Sequence, residues 1–292
     1  MKQEAKGESM QTSHKVLMCY PEFYGIKFGI NDWQKKSLER ARGKDPVNNE
    51  FARNQWCDLY DVLKTRRFDI AEGTPDIDLL DMVFTSEAGL VFGERRDEVI
   101  LGRFRYQKER GGEEAHFRRF FEQHKYIVHE LPEGCVFEGN GDALWFGNTL
   151  VCGYGFRSNV KGLRAVSRLV GCDCVFLRLV DSRFYHLNMC FCPLGDYFLF
   201  YPGAFDEESR WQLEHLGDAV PISRSDALRF IANGIRVEDP LNPWWQELIT
   251  NSPPTMGLWR ELARRSTTVT IVNLSEFRRS GGGARCLICL LN

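Results

Sequence analysis

Three segments of the sequence repeat one local pattern, in which two short apolar runs are joined by a polar turn. They are DMVFTSEAGLVFGERRDEVILGRF from residue 81, CVFEGNGDALWFGNTLVCGYGFRSN from residue 135 and FYHLNMCFCPLGDYFLFYPGAF from residue 184. Such runs, bounded by glycine, asparagine and aspartate, are typical of β-hairpins. Charged stretches with helical spacing separate the copies. Because repetition of this kind is typical of arrays and propellers, we predict an α/β fold of about five ββαβ units closing a ring. Function is expected at the strand ends near the axis.

The start of the chain and one internal segment depart from this pattern. Residues 1–14 are polar, which predicts a disordered leader before a single domain over residues 15–292. Residues 238–259 contain four prolines and three tryptophans. They predict a long loop packed by its own aromatic side chains, which is either an insertion or a cover over a pocket.

Composition argues against several classes of partner. The net charge of -2 and the pI near 6.3 give no basic field for nucleic acid. The chain shows neither a signal peptide nor about 18 consecutive apolar residues, so we expect a cytoplasmic protein without a membrane partner. The ten cysteines are expected to be free thiols. No cofactor or metal is expected, since Cys286 and Cys289 lack a matching Cys or His pair. A homo-oligomer is left open.

Polar residues enter the first apolar run of each copy at corresponding places, as Glu87, Asp142 and Asn188. Glu138 and His186 come shortly before the runs of the second and third copies. In a closed ring these side chains would point toward one end. A carboxylate near an imidazole orients it and raises its basicity, which makes the set a candidate for acid and base chemistry.

The segment GGGARCL near the end of the chain offers a nucleophile. Glycine adopts positive φ and allows close approach, so three glycines before Cys286 predict a tight turn that presents its thiol. A flexible loop before a last buried strand is the alternative that these residues leave open.

Five motifs in this order, FTSEAG, FEGNGD, GYGFRSN, FYHLNMCFCP and GGGARCL, resemble those of the guanidino-group modifying enzymes. These are the arginine deiminases, dimethylarginine dimethylaminohydrolases, amidinotransferases and, with the strongest resemblance, the arginine dihydrolases. The resemblance extends from INDW to the last strand. It implies a five-bladed, pseudo-symmetric α/β propeller, the pentein fold. It also implies that a cysteine attacks the central guanidino carbon and forms a covalent amidino intermediate, which water or an amine resolves.

The resemblance implies roles for the residues that match the family motifs. Cys286 matches the nucleophile and His186 matches the group that protonates the departing amine and then activates the incoming nucleophile. Glu138 matches the carboxylate that contacts the guanidinium and supports the histidine. Glu87 stands where a second such carboxylate belongs, and Arg157 matches the arginine that binds the α-carboxylate of the substrate.

Three further residues complete the expected substrate-binding set. Asn31, in GINDW, matches a polar position near the pocket of dihydrolase-like members. Asp142 and Asn188 follow Glu138 and His186 in their motifs.

Two positions depart from the family pattern. Deiminases have Asp and dihydrolases have Asn where this chain has Glu87, and the Asn is tied to a second hydrolytic step. Asn188 stands where most of these enzymes have Asp, and an amide holds an unsubstituted guanidinium less firmly than a carboxylate does. We therefore expect a hydrolase of arginine or a substituted guanidino compound. The alternatives are an amidinotransferase and a non-catalytic binding protein on the same fold.

Overall fold

The structure is a computed structural model that describes residues 14–239 and 242–292, so residues 1–13 of the predicted leader lie outside it. The described strands are β1 Lys15–Cys19, β2 Asp69–Gly73, β3 Gly89–Phe92, β4 Glu98–Leu101, β5 Ile127–His129, β6 Ala143–Phe146, β7 Thr149–Tyr154, β8 Cys174–Arg178, β9 Phe191–Leu194, β10 Tyr197–Phe200, β11 Asp218–Pro221, β12 Ile235–Asp239, β13 Asn242–Thr250, β14 Thr267–Ile271 and β15 Cys289–Leu290. The helices are α1 Asp32–Ala41, α2 Asn49–Thr65, α3 Gln107–Arg110, α4 Glu113–Gln123, α5 Gly139–Asp142, α6 Val160–Val170, α7 Glu207–Leu216, α8 Arg224–Leu228, α9 Met256–Arg264 and α10 Ser275–Arg278.

The described strands form five three-stranded sheets with one common arrangement. In each sheet the first two strands pair antiparallel and the third lies parallel to the second, as in β6, β7 and β8. In the sheet of β15, β1 and β2, β15 takes the place of the first strand. A helix connects the second strand to the third, because parallel neighbours need a crossover. The prediction of an α/β fold with five ββαβ units is confirmed at this level.

Local sequence explains these units. The two-residue turns after Phe146 and Leu194 each begin with a glycine at positive φ, Gly147 at 56° and Gly195 at 71°. The crossover helix α6 begins where the Asn159 side chain accepts a hydrogen bond from the backbone of Gly162. Its buried face includes Leu163 and packs on the sheet, where each fully buried aliphatic side chain contributes about 1.5–3 kcal/mol.

The first and the last of the described strands share a sheet. Strand β15 pairs antiparallel with β1, with Val16 opposite Leu290, and β1 pairs parallel with β2. The Thr85 hydroxyl donates hydrogen bonds to the carbonyls of Leu17 and Leu287 at 2.9 and 3.1 Å. The segment that ends in Cys286 is therefore tied to the first strand and to the turn before β3.

The prediction of a long loop over residues 238–259 is wrong. Residues 242–250 form β13, the middle strand of its sheet, and α9 begins at Met256. Pro243 is tolerated because β14 pairs with β13 only from Gln246 onward, so the early part of β13 has one strand neighbour. The tryptophans do not pack a loop together, since Trp244 is 86% exposed.

All ten cysteines are free thiols, as predicted. Within the described ranges, no helix has the length and apolar character needed to cross a bilayer. The same ranges contain no group of three His, Cys, Asp or Glu side chains arranged to hold a metal ion.

Candidate active site

Several of the turns that precede the first strand of a sheet meet at one buried pocket. The 3-10 turns Thr85–Ala88 and Ala284–Leu287 contribute Glu87 and Cys286, and His186 comes directly before the 3-10 turn Leu187–Met189. The pocket has a volume of about 10 Å³, which is room for roughly one water molecule. Its lining consists of Ile30, Asn31, Gln34, Asp81, Phe84, Glu87, Arg110, Arg157, Tyr185, His186, Ser280 and Cys286.

The structure brings most of the predicted site residues together. The five that line the pocket are Asn31, Glu87, Arg157, His186 and Cys286. Glu138 lies directly behind the histidine, whereas Asp142 and Asn188 are buried without lining the pocket.

The thiol of Cys286 is buried at the pocket. The Asn233 amide donates a hydrogen bond to the sulfur at 3.2 Å, and the Cys286 backbone N–H donates to the carbonyl of Gly283. Burial raises the pKa of the thiol to about 12, and the nearby carboxylate of Glu87 adds to the increase. The free thiol is therefore the favoured form of Cys286 at neutral pH.

The glycine run before Cys286 forms the predicted tight turn, and two of its glycines have separate structural reasons. Gly281 has φ of 82°, a conformation that other residues rarely adopt. At Gly283 an added Cβ would lie 2.6 Å from the side-chain oxygen of Asn233, so a larger residue would collide with the amide that contacts the sulfur.

His186 lies between two carboxylates. Its Nε2 is 2.7 Å from Oε2 of Glu138, and its Nδ1 is 3.7 Å from Oε1 of Glu87. Burial alone would lower the pKa of His186, but the carboxylates of Asp142, Glu138 and Glu87 outweigh this effect and raise it. The imidazole can therefore hold a proton near neutral pH.

Several hydrogen bonds hold Glu138 in place. Its Oε2 accepts from His186 and from Nη1 of Arg157 at 3.1 Å, and its Oε1 accepts from the backbone of Arg105. Its own backbone N–H donates to the Ser158 hydroxyl. Although burial opposes ionisation, Arg157 and His186 hold the pKa of this carboxyl well below its usual range, so it remains charged.

An arginine that sequence reasoning missed holds the Glu87 carboxylate. Arg110 donates from Nη1 to Glu87 at 2.9 Å and makes a two-pronged contact with Glu113 at 2.8 and 2.6 Å. Its Nη2 also donates to the Asp81 carbonyl, and its guanidinium lies 4.4 Å from the centre of the Phe104 ring. Because α3 and α4 occur in a highly charged stretch, the sequence indicated a charged helical segment and gave no sign of a buried ion cluster.

Asp81, a second missed residue, offers an unsatisfied oxygen to the pocket. Its Oδ2 accepts from the Gln34 amide at 3.1 Å, while its buried Oδ1 has no hydrogen-bond partner in the part of the chain that the structure describes. Burial raises the pKa of this carboxyl. A buried acceptor of this kind favours a ligand that brings a hydrogen-bond donor.

Two of the predicted substrate-binding residues, Asp142 and Asn188, mainly position other groups. Asp142 accepts from the backbones of Ser158 and Leu187, both at 3.1 Å. The Asn188 side-chain oxygen accepts a hydrogen bond from the Asn233 amide at 3.2 Å. The same oxygen lies 3.8 Å from the sulfur of Cys286. These contacts fix the turns that carry the histidine and the nucleophile.

Asn31 lines the pocket and also begins α1. Its oxygen accepts from the backbones of Trp33 and Gln34, and its amide donates to the Ser280 carbonyl at 3.0 Å. It therefore ties the segment before α1 to the glycine run.

Asn233 could have been found from the repeat itself. It lies in the turn before β12, the first strand of a sheet, and so corresponds to the polar residues of the other copies. The aromatic and charged composition of residues 229–245 obscured that copy.

Comparison with known proteins gives consistent matches. The chain is 38% identical to the bifunctional arginine dihydrolase/ornithine cyclodeaminase ArgZ of Synechocystis sp., over 94% of this chain and 37% of that protein. It therefore spans little more than a third of the length of that relative. It is 29% identical to the N(G),N(G)-dimethylarginine dimethylaminohydrolase of Mycobacterium tuberculosis, over 94% of this chain and 84% of that enzyme.

The chain is also similar to the crystal structure of the N-terminal domain of ArgZ bound to its substrate, with a TM-score of 0.86 and 36% sequence identity. The match covers 96% of this chain and 98% of that domain. No protein-family model matches the chain.

Proposed function

This chain belongs to the superfamily of guanidino-group modifying enzymes, and we propose that it hydrolyses the guanidino group of arginine or of an N-substituted arginine. The observation that carries the proposal is the meeting of Cys286, His186 and the unsatisfied Asp81 oxygen at one buried pocket. The matched relatives are hydrolases by name, which favours water over an amine as the second reactant. The five sheets are taken to close into the five-bladed ring of a single domain around this pocket.

The proposed reaction begins with the thiolate of Cys286. Its sulfur forms a bond to the central guanidino carbon, and the C–N bond to the departing nitrogen breaks as His186 gives that nitrogen a proton. Ammonia or an amine leaves. A water molecule then attacks the same carbon and gives one proton to His186; the C–S bond breaks, the remaining hydroxyl proton passes to the sulfur, and a ureido product leaves. The regenerated thiol loses that proton to solvent when the next cationic substrate binds.

A cationic substrate supplies the charge that the thiol lacks. Burial and Glu87 raise the pKa of Cys286 to about 12, so at neutral pH the empty site holds a thiol. A guanidinium bound beside the sulfur would favour the thiolate, because an opposite charge within about 4–6 Å stabilises an ionised group. The nucleophile would thus be formed mainly when substrate is present.

The polar ends of the substrate are assigned to the remaining pocket residues. Oδ1 of Asp81 accepts from a cationic nitrogen of the substrate, and Arg157 binds a carboxylate. Arg157 is available for this because only its Nη1 makes a short contact, with Glu138, while its Nη2 is 3.5 Å from the Ile30 carbonyl. Glu87 takes part through its charge, since both of its oxygens already accept from Ser86 and Arg110.

The pocket must open before an arginine can bind, because a volume of about 10 Å³ holds only one water. The segment from Pro21 to Gln34 is the part proposed to move. Opening it would break several contacts, among them those of Asn31 with Ser280, of Gln34 with Asp81 and of the Trp33 indole with the Arg183 carbonyl. Cytoplasmic location and homo-oligomerisation stay predictions.

Product analysis tests the proposed function. Arginine and mono- and dimethylarginine are each incubated with the chain, and ureido product, ammonia, methylamines and ornithine are quantified. Because Glu87 replaces the Asn of dihydrolases, we expect one hydrolytic step, with citrulline as product and little ornithine. Turnover that requires glycine or another amine, and yields a new guanidino compound, would identify a transferase instead.

The Cys286→Ala variant is the negative control for this experiment. A Glu87→Asn variant provides the positive arm, because it restores the dihydrolase residue and should raise the share of ornithine. An unchanged product ratio would show that Glu87 does not limit the reaction to one step.

A further inference from the structure

A second cavity, of about 170 Å³, is lined by Arg285, the neighbour of the nucleophile. Cys286 lines the first pocket and not this one, so the turn Ala284–Leu287 separates the two spaces. First strands of four sheets contribute to the wall, and its apolar part includes Phe68, Leu144, Phe191, Ile235 and Ile288. The cavity is therefore a built space of its own, apart from the catalytic groups.

Arg285 brings an uncompensated positive charge to this cavity. The residue is 7% exposed, and its Nη1 donates to the Ile288 carbonyl at 3.0 Å. Its Nη2 is buried and has no hydrogen-bond partner within residues 14–239 and 242–292. No carboxylate of those ranges forms an ion pair with it, and a buried charge without a partner is costly. Burial accordingly lowers the pKa of this guanidinium.

Trp145 also lines this cavity. Its buried Nε1 also lacks a partner in the described part of the chain. An indole N–H and a guanidinium can only donate, so both need an acceptor. Among the described residues that line the cavity, Glu238 is the one carboxylate, and it is exposed and already engaged by Arg236 at 2.7 Å and by His14 at 3.8 Å.

Size and chemistry together define the ligand. A cavity of 150 Å³ with apolar walls accommodates benzene, so one of about 170 Å³ accommodates an apolar body of that size. We infer that this cavity binds a small organic carboxylate with an apolar body, whose oxygens accept hydrogen bonds from Arg285 and Trp145.

Binding there has a consequence for the nucleophile. The positive charge of Arg285 favours the thiolate of Cys286, and a bound carboxylate would cancel that charge. Occupancy of the second cavity should therefore make the thiol harder to ionise and slow its reactions at a given pH.

Titration of the full chain with benzoate tests the site, with the indole ¹H–¹⁵N resonance of Trp145 as the reporter. The resonance is assigned by its loss in Trp145→Phe. Benzoate should shift it saturably in both the parent chain and Cys286→Ala, because the site is separate from the catalytic pocket. The neutral benzamide and the cationic benzylamine should bind at least tenfold more weakly. A Trp145 resonance that benzoate leaves unmoved, or that moves only when Cys286 is intact, overturns the site.

Variants test the two donors by calorimetry with benzoate. Arg285→Met and Trp145→Phe should each weaken binding roughly tenfold or more, since each removes a hydrogen bond to a charged group. Arg285→Lys keeps the charge but loses the planar pair of donors, so it should also weaken binding, and it provides the measurement if the methionine variant does not fold. Unchanged affinity in these variants, or inorganic phosphate binding more tightly than benzoate, overturns the assignment.

The pH profile of Cys286 alkylation by iodoacetamide tests the coupling. Benzoate at its dissociation constant for the parent chain should move the profile to higher pH in the parent chain and move it much less in Trp145→Phe at the same concentration. A profile that benzoate does not move overturns the coupling.

Discussion

Replacing Arg110 by methionine should strongly destabilise the fold, because Arg110 neutralises the carboxylates of Glu87 and Glu113 in a buried cluster. All three side chains are at least 97% buried. Removing one partner of such a cluster leaves uncompensated charge and costs about 3–5 kcal/mol. For 292 residues the unfolding entropy is about 0.6 kcal/mol per degree, so the Tm should fall by about 5–8 °C.

The loss should also depend on pH. Burial raises the pKa of Glu113 from 4.5 to about 7 even though Arg110 opposes the shift. A carboxyl whose folded pKa exceeds its unfolded pKa holds a proton in the folded state, so it costs stability progressively as pH rises from about 4.5 toward 7. Without Arg110 this cost increases, and the Tm difference should be larger at pH 8 than at pH 5.5.

Differential scanning calorimetry at the two pH values is the assay. Arg118→Met is the matched control, because Arg118 forms exposed pairs with Glu122 and Glu130 and should change stability by less than about 1 kcal/mol. The combined replacement of Arg110 by Met and Glu113 by Gln should recover part of the loss. Equal Tm changes for Arg110→Met and Arg118→Met would refute the view that the cluster carries buried charge.

Three further predictions concern the pocket. Glu138→Gln should lower kcat by roughly 10²–10⁴-fold. It should also move the acidic limb of the pH–rate profile to lower pH, because the Glu138 carboxylate helps to raise the pKa of His186. An unshifted limb would contradict the pairing of Glu138 with His186. Asp81→Asn should raise KM by roughly 10–100-fold with a smaller effect on kcat in steady-state kinetics, and an effect on kcat alone would exclude a binding role. Gly283→Ala should lower stability by about 1–3 kcal/mol and slow Cys286 alkylation, because the new Cβ would lie 2.6 Å from an amide oxygen. Gly257→Ala in α9 is the control, because a Cβ added there would have no neighbour within 4 Å, and this variant should stabilise the fold by up to about 1 kcal/mol. Similar losses of stability in the two variants would refute the collision at Gly283.

Local patterns in the sequence were sufficient for three of the hairpins and for much of the pocket. Hairpins and their glycine turns depend on neighbouring residues, so the strand pairs around Glu87, Glu138 and His186 could be predicted. The convergence of these turns followed from the repeat together with the family resemblance, and the structure places Cys286 and His186 at one pocket.

The remaining features depend on contacts distant in sequence. Arg110 reaches Glu87 across 23 positions, and nothing in a charged stretch distinguishes a buried arginine from a solvated one. Residues 242–250 were misassigned because proline was given more weight than the run WWQELIT, whose central place in a sheet depends on β12 and β14. Asp81 was missed because an unsatisfied oxygen is visible only once its neighbours are placed.

The most direct test of the central claim is mass spectrometry of the intact protein and its peptides. The protein is incubated with arginine or a methylarginine and the reaction is quenched rapidly with acid. The account predicts a substrate-dependent amidino adduct on the peptide that contains Cys286, absent from Cys286→Ala and absent when substrate is omitted. Turnover by Cys286→Ala at the parent rate, or an adduct confined to another of the ten cysteines, would contradict it.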